Sequence, residues 1–222
     1  EIYTLSLHDA LPILASGNLQ YNATTNEFLF AASQAKYRGD NQGYANEYQV
    51  YLENPDYIID LFGWGMWLDG TDKADIIQTS TTGRYAPELE GNDFKNNQTT
   101  VNGTEWFTLT RYQWDYLITH SQNAWRTITV NGTSYNGLVI LPDDCTKNVG
   151  SDDWSVLESA GAVFLPAAGI RVEKDVKDVG IAGYYWSCSG SSSNAYRLTF
   201  ASDGVFASYN HDYTYYGYSV RL

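Results

Sequence analysis

Short apolar stretches, several of them alternating with polar residues, dominate this chain and predict β-strands. Residues 18–21 (NLQY) and 127–130 (TITV) alternate, as strands with one buried face do. Asn131-Gly132 follows the second stretch and is a strong signal for a two-residue hairpin turn. Residues 138–141 (LVIL) and 162–165 (AVFL) are continuous apolar runs that lead into proline, which predicts buried strands that end in turns.

The same alternation returns near the C-terminus, in residues 196–201 (YRLTFA). We expect Tyr196, Leu198 and Phe200 to face the core, and Arg197, Thr199 and Ala201, which alternate with them, to face outward. Residues 216–222 (YGYSVRL) then predict a closing strand.

Helical signals are fewer. Thr110 and Gln113 have the spacing of a capping box, and apolar residues at helical spacing follow, which predicts a helix over 111–120. A second helix is predicted over 152–160, ended by Gly161.

The remaining pattern sets the fold class. Residues 66–104 are polar, rich in Gly, Thr and Asn and without periodicity, which predicts long surface loops. A length of 222 residues suits one large domain, and 43% hydrophobic residues disfavour a disordered chain. The chain is therefore predicted to be α+β, with short mixed or antiparallel sheets, two main helices and long loops.

Charge and hydropathy narrow the possible partners. The chain has 13 Lys and Arg against 26 Asp and Glu, which gives a net charge of −13. Such a surface repels the phosphate backbone, so nucleic-acid binding is disfavoured. Because no run of about 18 apolar residues is present, this segment is not expected to insert into a membrane.

The first residues differ from the rest. Residues 1–14 (EIYTLSLHDALPIL) lack the basic start and the small-residue exit of a signal peptide. They look like translated adapter sequence, so we expect this segment to be non-native or disordered. Residues 15–222 are then expected to form a single domain.

The C-terminal region has an unusual composition. Residues 187–222 contain no Lys, Glu, Gln, Met or Trp, whereas the first 186 residues contain 31 of them. None of these five residue types can be reached from an AAC codon by replacing its two adenines. The residues that remain, chiefly Tyr, Ser, Gly and Asn, are those that binding loops favour. An ordinary β-region with polar loops is the alternative explanation.

A family resemblance adds to this pattern. The run YYWSCSGSSSNAYRLTF (184–200), then GVFASYN and the ending YGYSVRL, resembles the C-terminal part of variable proteins of diversity-generating retroelements. It is most similar to gut Bacteroidales members, which overlap the Fibrobacter succinogenes major paralogous domain. Upstream pieces agree, namely SGNLQY at 16–21, IDLFGWG at 59–65, WFTLTRYQW at 106–114, GLVILPDD at 137–144 and GAVFLPAAGIR at 161–171.

The resemblance implies a C-type-lectin-like fold of the formylglycine-generating-enzyme type. In that fold the terminal strands pair, so residues 18–21 could pair with residues 219–222. It also implies that template adenines are randomised during reverse transcription, which would make a region of about 187–216 hypervariable. The implied function is binding of a protein or glycan on another cell or surface. The implied location is extracellular, on a bacterial surface (for example as a lipoprotein) or on a phage virion.

The resemblance also assigns positions, which we call the variable set and the fixed set. Spacing between Tyr209 and Gly217 departs from the family pattern, so assignments there can shift by one residue. The variable set, expected to contact ligand, is Cys188, Gly190, Asn194, Arg197, Thr199, Ala201, Gly204, Phe206, Tyr209, His211, Asp212 and Tyr215. The fixed set, expected to support the scaffold, is Tyr185, Trp186, Ser187, Tyr196, Leu198, Phe200, Val205, Gly217, Ser219, Val220 and Arg221.

Catalysis is a less favoured alternative. The formylglycine-generating enzyme uses a close pair of cysteines, whereas Cys145 and Cys188 are 43 residues apart and Cys188 is in the variable set. A disulfide between them is possible, and two free thiols are the other possibility. The histidines His8, His120 and His211 suggest no triad or metal site; His120 is expected to end a helix. We therefore expect no enzyme activity, no cofactor and no metal.

Two features would suit a carbohydrate-binding protein. Asp143-Asp144 and Asp152-Asp153 could bind calcium, but a turn and a helix N-terminus account for them better. The tryptophans 64, 67, 106, 114 and 125 could form a sugar platform, but their apolar surroundings favour core packing. The main alternative to a variable binding protein remains an invariant structural or adhesin-like surface domain of the same fold.

Overall fold

A computed structural model describes most of the chain. The described residues are 14–22, 24–38, 58–65, 89–90, 93–94, 97–143, 145–172, 175–191, 194–207 and 211–222. Residues 1–13 and Tyr209 lie outside them. Leu14, the last residue of the predicted non-native segment, packs against the core.

The described residues form mostly small antiparallel sheets with two helices, which agrees with a mixed α+β or mostly-β fold. The helices are α1 (Arg111–His120) and α2 (Trp154–Ser159). The strands are β1 (Leu19–Asn22), β2 (Glu27–Phe30), β3 (Ile58–Ile59), β4 (Leu89–Glu90), β5 (Asp93–Phe94), β6 (Thr99–Val101), β7 (Thr104–Trp106), β8 (Asn123–Val130), β9 (Thr133–Ile140), β10 (Val163–Pro166), β11 (Ile170–Val172), β12 (Asp175–Lys177), β13 (Ala182–Ser191), β14 (Asn194–Ala201), β15 (Gly204–Phe206) and β16 (His211–Tyr213). Neither helix is long and apolar enough to cross a membrane, in the part of the chain that is described.

The local turn and cap signals were good predictors. Asn131 and Gly132 have φ of 50° and 80° and join β8 to β9, so the predicted hairpin is confirmed. The capping box of α1 is also confirmed, because Thr110 Oγ1 accepts from Gln113 N at 3.2 Å and Gln113 Oε1 accepts from Thr110 N at 2.8 Å.

The second helix is shorter than predicted. It begins at Trp154 instead of residue 152, because Asp152 Oδ2 accepts from the backbone N–H of Asn148 and so belongs to the preceding turn. Gly161 ends the helix as predicted, with φ of 88° and the two hydrogen bonds of a Schellman motif.

The prediction of long loops over residues 66–104 was wrong in part. Strands β4, β5 and β6 and the first residue of β7 lie in this range. Asn102 and Gly103, with φ of 52° and 77°, form the turn of the β6–β7 hairpin. This is the Asn-Gly signal again, but the flanking strands of three residues are too short to show periodicity.

A C-terminal sheet has β14 at its centre. β13 pairs with one edge of β14, and β15 and β16 pair with successive parts of the other edge. Leu198 and Phe200 of β14, both fully buried, pack with Trp114 and Leu117 of α1. This packing fixes which face of the sheet is turned toward α1.

The predicted alternation in β14 fails at one residue. Leu198 and Phe200 are fully buried as expected, but Tyr196 is only half-buried. Its neighbour Ala195, on the opposite face, is fully buried in another part of the core. At the Ala195 end of β14, the second face of the strand is therefore also covered by core residues, which include Tyr218 and Trp186.

The chain ends are held together, although not as a continuous ladder. Leu19 N donates to Val220 O at 2.9 Å, and Ala15 N donates to Leu222 O at 2.6 Å. The ladder partners of β1 are β2 and β3, so the expected pairing of residues 18–21 with 219–222 is limited to such single contacts. The predicted closing strand is an extended segment that forms isolated bridges with Phe62, Arg171 and Tyr185.

Candidate functional site

One face of the C-terminal sheet brings together half of the variable set. Ladder register places Thr199 opposite Phe206 and Ala201 opposite Gly204. Paired residues in antiparallel strands point to the same side, and side chains alternate along each strand. We call the resulting surface the outer face; it consists of Arg197, Thr199 and Ala201 of β14, Gly204 and Phe206 of β15, and Asp212 of β16.

The outer face is accessible. Phe206 is 54% exposed, and the other five residues are half-buried. The alternate residues Leu198 and Phe200 are fully buried against α1 and β9. Support and exposure are therefore divided between the two sides of the same strand.

A polar pair lies at one end of the outer face. Arg197 Nε donates to Asp212 Oδ2 at 2.8 Å, and the two side chains are 14% and 25% exposed. Tyr218 Oη donates to the same carboxylate oxygen at 2.6 Å. Burial, and then the negative charge of Asp212, raise the pKa of the Tyr218 phenol far above its ordinary value, so it remains a donor.

Aromatic rings form the floor under this pair. The guanidinium of Arg197 lies 5.3 Å from the Tyr184 ring centroid and 5.7 Å from that of Tyr218. The two rings stack with centroids 5.3 Å apart. Burial, together with a hydrogen bond to Asp178, raises the pKa of Tyr184 to about 12. These positions are outside the variable set, so the pair rests on rings that the sequence argument did not assign.

More tyrosines extend the aromatic surface. Tyr213, which is 52% exposed, stacks on Tyr215 with centroids 5.2 Å apart and planes 7° apart. Tyr216 meets both rings edge-on and lies 6.3 Å from Tyr218. Tyr215 of the variable set thus belongs to a cluster of tyrosines, which the repeated Tyr in YTYYGY could have indicated.

Two members of the variable set lie on the other side of the sheet. Asn194 and His211 are paired in register with Tyr213 and Tyr196, and His211 is exposed. The His211 and Tyr196 rings are 5.8 Å apart, and the Arg111 guanidinium covers Tyr196 at 4.2 Å. These residues form an edge beside the start of α1 instead of part of the outer face.

Two other members of the variable set, Cys188 and Gly190, lie in the core. Cys188 is 1% exposed, so it presents no surface to a ligand in this conformation. A Cβ added at Gly190 would lie 2.2 Å from Cη2 of Trp64, whose indole donates to Ser187 O at 2.9 Å. Cys188 and Trp64 belong to one core cluster with Ala195 and Tyr218, and this cluster covers the sheet at this end.

Two polar atoms on the outer face have unused hydrogen-bonding capacity. Arg197 Nη1 and Thr199 Oγ1 are buried and have no hydrogen-bond partner among the described residues. Unpaired buried donors are costly, because they lose water without gaining a protein partner. Both belong to the variable set, and an acceptor brought by water or ligand would satisfy them.

Residues considered for chemistry occupy structural positions. Cys145 and Cys188 are not joined by a disulfide, so that alternative is not realised. Asp143 accepts from Ser121 Oγ at 2.9 Å, Asp153 precedes α2, and His120 is in the last turn of α1 as expected. No cluster of three or more His, Cys, Asp or Glu is found among the described residues.

The tryptophans pack inside the protein. Trp64 and Trp114 are buried, and Trp106 and Trp125 are half-buried and pack against core clusters. Core packing is therefore confirmed for these four, and Trp67 lies outside the described residues. The most exposed aromatic side chains among the described residues are instead the tyrosines Tyr112 and Tyr213 and the phenylalanines Phe107 and Phe206.

Comparison with known protein families, with curated proteins and with solved structures found no match to this chain. Its function is therefore inferred from the sequence resemblance and from the geometry of the outer face.

Proposed function

We propose that this protein binds a ligand through its outer face and that a retroelement diversifies this face by randomising adenines. The observation that carries the proposal is the convergence of Arg197, Thr199, Ala201, Gly204, Phe206 and Asp212, from three strands, on one accessible side of the sheet. Leu198 and Phe200, which alternate with them, are buried. Such a frame can accept new contact residues while its core stays the same.

Composition supports the same proposal. The region that forms the outer face lies within residues 187–222, which lack the five residue types that randomised AAC codons cannot encode. Tyr, Ser, Gly and Asn supply rigid aromatic area and adaptable hydrogen bonds, as in other recognition surfaces. The exposed ring of Phe206 on the outer face suits a protein or glycan partner on another cell or surface.

We further propose the C-type-lectin-like fold of the formylglycine-generating-enzyme type. Small antiparallel sheets, two helices and hydrogen bonds between the two chain ends support it. In this proposal the protein is a non-enzymatic surface or virion component that needs no cofactor or metal.

The first experiment reads the DNA downstream of the gene. We expect a near-copy of the 3′ end that differs chiefly at adenines, together with a reverse-transcriptase gene. Sequences of the locus from many cells should differ at codons 197, 199 and 206 and agree at codons 198 and 200. A complete locus with neither element would favour an invariant structural or adhesin-like domain.

The second experiment tests binding directly. The six outer-face codons are replaced by NNC codons in a displayed library, which is selected on arrays of purified glycans and proteins. We expect selected clones to fold cooperatively, with a lower melting temperature where the Arg197–Asp212 hydrogen bond is lost, and to bind different targets. The matched control randomises Leu198, Phe200 and Tyr185, which are buried, and should yield unfolded protein. Folded outer-face libraries that never yield a binder would argue against the proposed role.

A further inference from the structure

A second concave surface lies beside β1, β2 and β3. It is a groove of about 470 Å³, and none of the outer-face residues lines it. Its lining includes Gln20, Lys36, Tyr37, Arg38, Ile58 and Tyr135. We propose that this groove binds a small organic anion, with a carboxylate, sulfate or phosphate group on a sugar-sized body.

Charge is the first argument for an anion. Lys36 and Arg38 are exposed and line the groove, and no lining residue is Asp or Glu. Neither cationic side chain forms an ion pair in the described part of the protein. In a chain with 26 acidic and 13 basic residues, two exposed cations at one groove form a local site of opposite sign.

The nearest carboxylate already has partners. Asp60 is 1% exposed and accepts a hydrogen bond from the backbone N–H of Arg38. It also accepts from the Gln20 side chain and faces the buried Arg171 guanidinium. Asp60 interacts electrostatically with Arg171 and, more weakly, with Arg38. Because Asp60 is buried and Lys36 and Arg38 are exposed, the two cationic side chains remain accessible to a ligand.

The aromatic and apolar side chains that line the groove suit a ligand with a compact ring. Tyr37 and Tyr135 meet edge-to-face with centroids 6.2 Å apart, and Ile58 adds an apolar surface. Burial, more than the nearby Tyr135 and Asp60, raises the pKa of Tyr37, so its hydroxyl remains protonated and can donate to a ligand oxygen. Cations, a phenol and apolar surface together match an acidic sugar.

The volume is in the range of small-molecule sites, about 300–1,000 Å³. The groove also lies outside residues 187–216, in the part of the chain that the retroelement would leave unchanged. Its ligand would therefore be the same for every variant, whatever the outer face binds. This inference does not depend on the proposed function.

The test is a titration of the full chain followed by NMR chemical shifts. The probes are glucuronate, glucose 6-sulfate and glucose 6-phosphate, with glucose as the neutral control. We expect at least one acidic sugar to bind more tightly than glucose and to shift the Tyr37 and Tyr135 signals; the strongest probe identifies the acidic group. The double variant Lys36→Gln/Arg38→Gln should weaken that binding by about tenfold or more.

Lys177→Gln is the matched control, because Lys177 is an exposed lysine on β12 outside the groove, and it should bind like the parent. The proposal would be overturned if glucose bound as tightly as the acidic sugars, or if no acidic sugar bound. It would also be overturned if a folded double variant bound like the parent. If the double variant does not fold, a salt titration of the parent decides instead. Binding by two cations must weaken as ionic strength rises, and salt-independent binding would refute the site.

Discussion

Arg197 Nε donates to Asp212 Oδ2 over 2.8 Å and thereby ties β14 to β16. Both residues belong to the variable set, and Tyr218, which belongs to neither set, donates to the same oxygen at 2.6 Å. The outer face therefore contains side chains that also hold the sheet together. A change at either position alters both the surface offered to a ligand and the local stability.

Arg197 and Asp212 should be energetically coupled. Arg197→Ala and Asp212→Ala each remove one partner of a largely buried pair, and each should lower the free energy of unfolding by about 1–3 kcal/mol. The loss in the free energy of unfolding of the double variant should be about 1 kcal/mol smaller than the sum of the losses of the two single variants. Urea denaturation measures the cycle, with the exposed turn residue Asp203→Ala as control. Strict additivity would show that the hydrogen bond contributes no stability.

The two glycines of the variable set should respond differently to alanine. A Cβ at Gly190 would lie 2.2 Å from the Trp64 ring, whereas one at Gly204 would meet only the exposed Phe206 ring at 3.1 Å. We expect Gly190→Ala to lower the free energy of unfolding by about 1–3 kcal/mol because of overpacking. Gly204→Ala should change it by less than about 0.5 kcal/mol. Equal thermal shifts for both would mean that Trp64 moves aside freely.

Two phenylalanines test the division between support and contact. Phe200→Ala empties a fully buried site and should cost about 3–5 kcal/mol. Phe206→Ala removes a ring that is 54% exposed and should cost less than about 1 kcal/mol. Melting temperatures of the two variants give the comparison. A larger loss for Phe206 would mean that the outer face belongs to the core.

Asp60 should make stability depend on pH. Burial raises its pKa from 3.8 to about 6, against the opposing effects of the Arg38 N–H and Arg171. Between these values the folded state binds more protons than the unfolded state, so this group lowers stability as pH rises from about 4 to above 6. The total effect is at most about 3 kcal/mol.

Asp60→Asn cannot titrate and isolates this contribution. Relative to the parent, the variant should become more stable as pH rises through the same window. Urea denaturation at several pH values between about 4 and 7 measures the difference. A constant difference across this window would contradict the raised pKa.

Arg221 should be essential for joining the chain ends. It is fully buried and donates to Ala15 O at 2.8 Å and to Phe164 O at 2.7 Å. Burial lowers its pKa to about 10, so it remains charged at neutral pH. Arg221→Lys loses the planar fork and leaves a carbonyl unpaired, which should cost about 2–4 kcal/mol.

Arg126→Lys is a matched control for this prediction. Arg126 also donates to two backbone carbonyls, those of Val149 and Asp152, but it is only half-buried. Water can replace its lost hydrogen bond, so the cost should be below about 1 kcal/mol. Similar losses for both variants in urea denaturation would show that burial does not set the effect.

Local sequence signals were sufficient for single elements. The Thr110–Gln113 capping box and the Asn131-Gly132 turn each act between residues that are close along the chain, so they could be recognised from a few positions. The same logic located Gly161 at the end of α2. Strands of two or three residues, such as β5 and β6, give no period to detect, and this is why the region before Thr104 was predicted as loop.

Long-range packing was not predictable in this way. Arg221 contacts Ala15 from 206 residues away, and Trp64 reaches the Ser187 carbonyl from 123 residues away. Nothing in the local pattern shows that Gly190 lies against the Trp64 ring, or that Tyr196 is half-buried while Ala195 is buried. These outcomes depend on which elements pack together.

By itself, the sequence determined the main local elements, the composition of residues 187–222 and the alternation of support and contact along β14. The tertiary structure decided which variable positions share a surface. Pairing with β15 and β16 places Phe206 and Asp212 on the side of Arg197, and core packing around Trp64 covers the same side of the sheet at Cys188 and Gly190. The reason is physical: alternation sets two sides within a strand, but strand register and core packing determine which side meets solvent.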